Sequence, residues 1–444
     1  MAEIIPFRAL HYNPQAVGEL AKVVTQPYDK ISPEMQARYY DLSPHNLARI
    51  IRGRSMPDDT AQNNVYTRAA GYLREWMEKQ ILVSEHEPAI YPYIQEYSLP
   101  GRPHVTKLRR GFIALGRVED YGAGVIHRHE ETLSAPKADR LELLKATRAH
   151  FGQIFVLYSD PTGEIEALLA GESHTSPWQR VVDEYSTSHS VWRITAPSLV
   201  DRIAEALRPK KLVIADGHHR YETALAYRDF CRERGEANAR AEYVMMTFIR
   251  MESDGLTILP THRVLHELPR FDWKYFVTDS REYFSWKAVP FGDSPDAAAR
   301  FRDALEMAGH HWPTIGMFAG RDATGLLSPS LDVNMAHFLP SLAPSLARLD
   351  VVILHRLLLE DVLDIDARAV REEKNLRYVR EFEAAIRMVE SGEAQVSFLL
   401  NPTSVQSVWD NALAGHVLPQ KSTDFYPKLL SGLTAYWLDN PDGT

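Results

Sequence analysis

The sequence predicts a mixed α/β protein, α+β in detail, built from two domains. Three observations carry this. Short β-branched or aromatic runs bounded by turn residues alternate with stretches whose apolar residues recur every three or four positions. No period of roughly 20 to 50 residues repeats, which disfavours solenoids and propellers. The 444 residues are about three times the ~150 that serve as a prior for one domain.

Taken in order, strands are expected at 89–94, 110–115, 154–158 and 243–249, each a short β-branched or aromatic segment between turn residues. The clearest helices are 64–80, where Val65, Ala69, Leu73 and Met77 fall on one face, and 348–363, where Val351, Val352, Leu354, Leu358 and Leu359 form an apolar stripe. A boundary is placed near 270. Residues 1–270 read as a mixed α/β catalytic core. Residues 271–444 read as an α-rich domain with helices at 297–308 and 346–390 and a few strands, at 314–318 and 395–400.

Composition narrows the function. With 45% hydrophobic and 25% charged residues the chain belongs among folding sequences rather than disordered ones. Lys plus Arg is 50 and Asp plus Glu is 59, a net charge of −9, so no broad phosphate-attracting surface exists and nucleic acid is not an expected partner. The single cysteine, Cys231, excludes a disulfide framework and a multi-thiolate metal site; it reads as a small packing residue on a helix in a reducing compartment. No 18-residue uncharged apolar stretch occurs, and residues 1–6 lack a basic segment followed by an apolar run, so the expectation is a cytoplasmic protein without a membrane segment.

The sharpest local signal is 211–227, a buried-type strand that meets an Asp216-Gly217 turn and leaves as a helix. A helix N-terminus offers unpaired N–H groups and partial positive charge, Gly217 permits close approach of the backbone, and His218, His219 and Arg220 add donors. An anion such as a phosphate is the natural occupant, and Arg220 can grip it bidentately. The string is not a Walker loop. The plainer alternative is that Asp216 caps the helix and the histidines bond to nearby carbonyls.

Three further stretches carry polar chemistry. In 125–150, His127 and His129 share a side if extended, Glu130 and Glu131 are candidate bases or magnesium ligands, and Lys137, Arg140 and Arg148 can neutralise phosphate oxygens. Glu142, Lys145 and Arg148 read equally well as a solvated helix face. In 23–34, Ser32 and Pro33 open a helix, and Tyr28 with Asp29 on the preceding loop suits purine stacking and a base role, or a plain turn. Asn46 with Arg49, and His262 with Arg263, are pairs that serve either a site or a surface. In 417–432, Lys421 and Lys428 stand among hydroxyls and aromatics in a Pro-bounded loop, which is phosphate-friendly or a docking tail.

The 26–32 string, the 109–114 strand, the 129–155 block, the 215–225 junction, 259–263 and 421–428 together resemble a widespread bacterial family of about this length catalogued as a domain of unknown function. More remotely, the Asp216-Gly217-His218-His219-Arg220 junction resembles the phosphate-binding turn of the ParB and sulfiredoxin-like superfamily, which includes free-serine kinases. That resemblance implies a ParB/sulfiredoxin-like nucleotide-binding core with large insertions and a mainly helical C-terminal part. It also implies that residues 216–220 receive the phosphates of ATP or ADP with magnesium. Histidines stand here where sulfiredoxin carries a cysteine, so sulfinic acid reduction is not expected.

The leading reading is a small-molecule phosphotransferase, a kinase acting on a hydroxyl substrate such as free serine. Glu130 or Asp29 would be the base, His218, His219 and Arg220 would carry the charge of the transferring group, and Lys137 and Lys421 would hold phosphate. Alternatives are a phosphate-ester hydrolase acting on a phosphoserine-like substrate, and a nucleotide-binding regulatory protein without turnover. A transition-metal site of His127, His129, His218 and Asp216 is a further reading. A homo-oligomer is compatible with any of these.

Overall fold

The computed structural model describes residues 1–130, 134–171, 175–235, 239–330 and 335–440; Glu131 lies outside the described residues. The fold is mixed α/β. The chain divides into two compact units, one formed by Met1–Arg128, Thr132–Thr257 and Pro427–Thr444, the other by His129–Glu131 and Ile258–Tyr426.

A nine-stranded mixed sheet organises the first unit. Its path runs Ile126–His127, Leu212–Asp216, Ile154–Tyr158, Tyr243–Arg250, Arg102–Arg117, Tyr91–Leu99, Ser188–Val191 and Gln179–Val182, with Ile4–Ile5 also paired to Arg102–Arg117. Ile154–Tyr158 is buried at every residue, as a strand covered on both faces must be. It pairs antiparallel with Leu212–Asp216 and parallel with Tyr243–Arg250. One apolar cluster gathers Phe112, Val156, Ile214 and Phe248 with Val200, Ile203 and Leu207 of the helix Pro197–Leu207 and Tyr221 and Ala224 of the helix His218–Glu233. A second is centred on Trp76 and Leu73 of the helix Val65–Glu78, which opens with a capping box between Asn64 and Thr67. The helix Ser134–Thr147 packs on both Val65–Glu78 and His218–Glu233. Cys231 is buried in the last of these helices, a packing residue.

The second unit holds a six-stranded antiparallel sheet in the order Phe284–Ala288, Thr324–Pro329, Ile315–Phe318, Val396–Leu399, His262–Leu265, Leu376–Val379. It is richer in strands than the sequence suggested. The stretch 346–390, expected to be mainly helical, is so: Leu346–Arg348, Asp350–Ile353, the wider π-helical turns of Leu354–Val362, Ala367–Arg371 and Phe382–Glu390 are helical, and the apolar stripe expected over 348–363 ends at Val362. Asp364 takes a φ of +54°, which breaks the helix, and Leu376–Val379 joins the sheet as an edge strand. Among the described residues no helix is long and apolar enough to cross a membrane.

Close backbone approach sets one requirement in the first sheet. Gly111 stands opposite Ile249, and a Cβ there would lie 2.3 Å from the Phe248 carbonyl oxygen and 2.2 Å from Ile249 Cδ1. Gly111→Ala should therefore destabilise the chain by roughly 1–3 kcal/mol through overpacking, read as a fall in the urea midpoint with an unchanged slope.

Candidate functional site

The 211–227 junction folds as its residues dictate. Leu212–Asp216 is a strand, Gly217 turns at φ +94°, and the 16-residue helix His218–Glu233 begins at once. Gly217 itself occupies the helix cap, and no side chain caps the helix. Asp216, expected as the cap in the plainer reading, instead receives Arg220 Nη2 on Oδ1 at 2.9 Å and Lys428 Nζ on Oδ2 at 2.5 Å. The other terminal nitrogen of Arg220 donates to the Gln153 carbonyl. The guanidinium lies so close over the turn that a Cβ at Gly217 would stand 3.1 Å from it. Gly217 thus meets two demands, a positive φ and room for Arg220.

Electrostatics follow from that packing. Burial works to raise the Asp216 carboxyl, but the Lys428 ammonium, the Arg220 guanidinium and Lys30 outweigh it and hold the group well below the usual carboxylate range. Arg109, fully buried and lowered to about 10 by that burial, also feels the Asp216 charge. Gln153, 1% exposed, accepts the Thr247 hydroxyl on its side-chain oxygen, while its Nε2 has no hydrogen-bond partner among the described residues.

A buried network fixes the segment that delivers Lys428. Arg109 donates to Gln95 Oε1 and to the Pro427 carbonyl, and Gln95 Nε2 donates to the Lys428 carbonyl at 2.9 Å. The Tyr93 hydroxyl lies 2.6 Å from His189 Nδ1 and accepts the Leu430 N–H; His189 Nε2 lies 3.3 Å from Asp183 Oδ2. Burial lowers His189, and a neutral ring with its proton on Nε2 satisfies both neighbours.

The structure places the other sequence candidates as follows. His218 is buried and His219 half-buried, both in the first helical turn, and the His219 carbonyl accepts the Thr223 hydroxyl. Lys137 pairs with Glu222, on the helix that starts at the turn. Asp29 is exposed in the single turn Tyr28–Lys30. Glu130 and Lys421 meet in the second unit, where Glu130 Oε1 accepts the Lys421 backbone N–H at 2.6 Å. Arg140 bonds to Asp139 and the Ile51 carbonyl, and Arg148 to Asp439. Arg263 is buried against His355 and backbone carbonyls, while Asn46 is buried and accepts the Ala48 N–H, which makes the latter a structural residue. Among the described residues no three His, Cys, Asp or Glu gather as a metal ion requires. His127 bonds to the Gly124 carbonyl, and His129 to the Thr423 hydroxyl.

The model of the family described as "Protein of unknown function (DUF1015)" matches residues 4–352. The chain belongs to the DUF1015 family. No curated protein matches the sequence. Among solved structures, this DUF1015 chain is similar to a free serine kinase in complex with AMP, at 13% identity and a TM-score of 0.34, covering 70% of this chain and 89% of that one. It is also similar to SbnI with a C-terminal truncation from Staphylococcus aureus, at 13% identity and a TM-score of 0.37, covering 74% and 90%. A conserved hypothetical protein from Pyrococcus furiosus stands at 11% and 0.34, covering 71% and 93%.

Lys30 escaped the sequence reading, and Lys428, read there as one of two lysines in a phosphate-friendly loop, was not joined to Asp216, because no periodicity links either lysine to that carboxylate. Their one advance signal was a cation beside a proline-bounded loop. Asp216→Asn leaves Lys428 and Arg220 without their half-buried counter-charge and should cost about 2 kcal/mol at pH 7. Because folding depresses the carboxyl, that stabilisation is present above about pH 4 and is lost as pH falls toward the folded value. Denaturant titrations at pH 7 and pH 3 should show the gap between wild type and variant narrowing at the lower pH.

Proposed function

We propose that this chain is a small-molecule phosphotransferase, a nucleotide-dependent kinase acting on a hydroxyl substrate such as free serine. The observation that carries the reading is the charge at the 216–220 turn. Asp216 feels the positive charge of Lys428, Arg220, Lys30 and Arg109 together, and no acidic residue stands in the first turn of the long helix that starts there. A polyanion answers that excess, and where water is scarce the attraction is stronger than on a surface. The Gln153 Nε2 donor, buried and orphaned beside Arg220, suits one more phosphate oxygen.

In this reading Asp216 does not touch the nucleotide. It holds Lys428 and Arg220 at fixed places, so that no side chain has to reorganise when charge builds on the transferring phosphoryl group. The backbone N–H groups of Gly217, His218 and His219, with the two imidazoles, supply the remaining donors. ATP or ADP is the donor molecule, and magnesium rides chiefly on its phosphates, as that ion commonly does with one or two carboxylates added. Asp29 is favoured as base because it is exposed and adjoins Lys30, which bears on Asp216. Glu130 is the second candidate, with Lys421 beside it. Lys137 serves phosphate only after leaving Glu222.

Calorimetry with ATP and ADP tests the binding step. Lys428→Met should weaken ATP at least tenfold while the chain stays folded. Asp29→Asn should abolish transfer of labelled γ-phosphate to serine and leave ATP binding unchanged; if Glu130→Gln does so instead, the base is reassigned. No nucleotide binding by a folded chain overturns the proposal. Phosphate release from phosphoserine without nucleotide replaces it with the hydrolase, and binding without turnover with the sensor.

A further inference from the structure

Within the first unit, a solvent-open cavity adjoins the turn, and Arg220 lines it. Its walls are mainly apolar or aromatic: Tyr28, Ile51, Leu143, Leu144 and Phe151. The Tyr28 ring is held by the Arg140 guanidinium, 4.2 Å from its centroid, and Arg140 is in turn held by Asp139 and the Ile51 carbonyl. Gly152 contributes bare backbone, and a Cβ there would stand 3.2 Å from Arg220. His150, also in the lining, is lowered to about 4 by burial and is therefore uncharged at pH 7.

We propose that this cavity receives the uncharged, flat nucleobase of the nucleotide whose phosphates bind at residues 216–220. The inference rests on the phosphotransferase reading and adds what that reading leaves open, the part of the molecule that selects a nucleotide over a bare polyphosphate. Two features argue for a ring: the walls are apolar with a pre-positioned tyrosine, and Arg220 and Thr223 connect the cavity to the phosphate turn. The same features argue against the acceptor. Free serine carries an ammonium group that calls for a carboxylate, and among the described residues no Asp or Glu lines the cavity. The acceptor then approaches the phosphates from the other side of Arg220.

Calorimetry on the full chain with ATP, tripolyphosphate and adenosine separates the two claims. The expected result is ATP bound at least tenfold more tightly than tripolyphosphate, with adenosine weak but competitive against ATP. Thr223→Phe, which grows into the cavity, should bring ATP down to the affinity of tripolyphosphate and leave tripolyphosphate unchanged; Tyr28→Ala should act in the same direction by removing a wall. Equal wild-type affinity for ATP and tripolyphosphate, without adenosine competition, overturns the cavity assignment and leaves the phosphate turn standing. Adenosine binding with no tripolyphosphate binding supports the cavity and defeats the phosphate turn. Binding of none of the three overturns both.

Discussion

A carboxylate half-buried between an ammonium and a guanidinium organises the first unit of this molecule. Such a group is costly to remove from water and stays ionised only because its partners are held in place. Arg220 comes from the next turn of the same segment, four residues along, so part of the arrangement is local and forms with the helix. Lys428 comes from 212 positions away, and its placement has to be secured by other means.

Those means are the second layer. Arg109, Gln95, Tyr93, His189 and Asp183 form a chain of buried polar groups whose shared target is the backbone of residues 427–430. Each buried donor or acceptor would be expensive if left unpaired, so together they leave the segment one low-energy path. The sheet contributes the rigidity. Arg109, Gln95 and Tyr93 stand on its adjacent long strands Arg102–Arg117 and Tyr91–Leu99, which are in mutual register, so the network inherits the precision of the sheet.

Much of this was legible in the amino-acid order where the interactions are local. An apolar run followed by Asp-Gly and then a helical pattern can hardly fold otherwise than as strand, turn and helix, and the four-residue spacing of Asp216 and Arg220 puts them within reach. What the order conceals is the role of Asp216. Cap and counter-ion look identical in one dimension, and only the arrival of Lys428 distinguishes them. The second unit was harder for a related reason. Strands such as Phe284–Ala288 and Leu376–Val379 are short and half-exposed, their alternation is faint, and what commits them to a sheet is pairing with partners distant in sequence. The stretch 346–390 was read as mainly helical and is, with the leucine stripe ending where expected; what the stripe did not reveal is the strand Leu376–Val379 inside that stretch, which only its pairing with His262–Leu265 creates.

The order of the segments has a consequence for biosynthesis. The first unit is opened by residue 1 but closed by residues that follow the whole of the second, since Pro427–Thr444 belongs to the first. All nine strands of its sheet, with Asp216 and Arg220, are therefore made before residues 258–426, and the ion pair of Asp216 with Lys428 can form only after that whole stretch has been added.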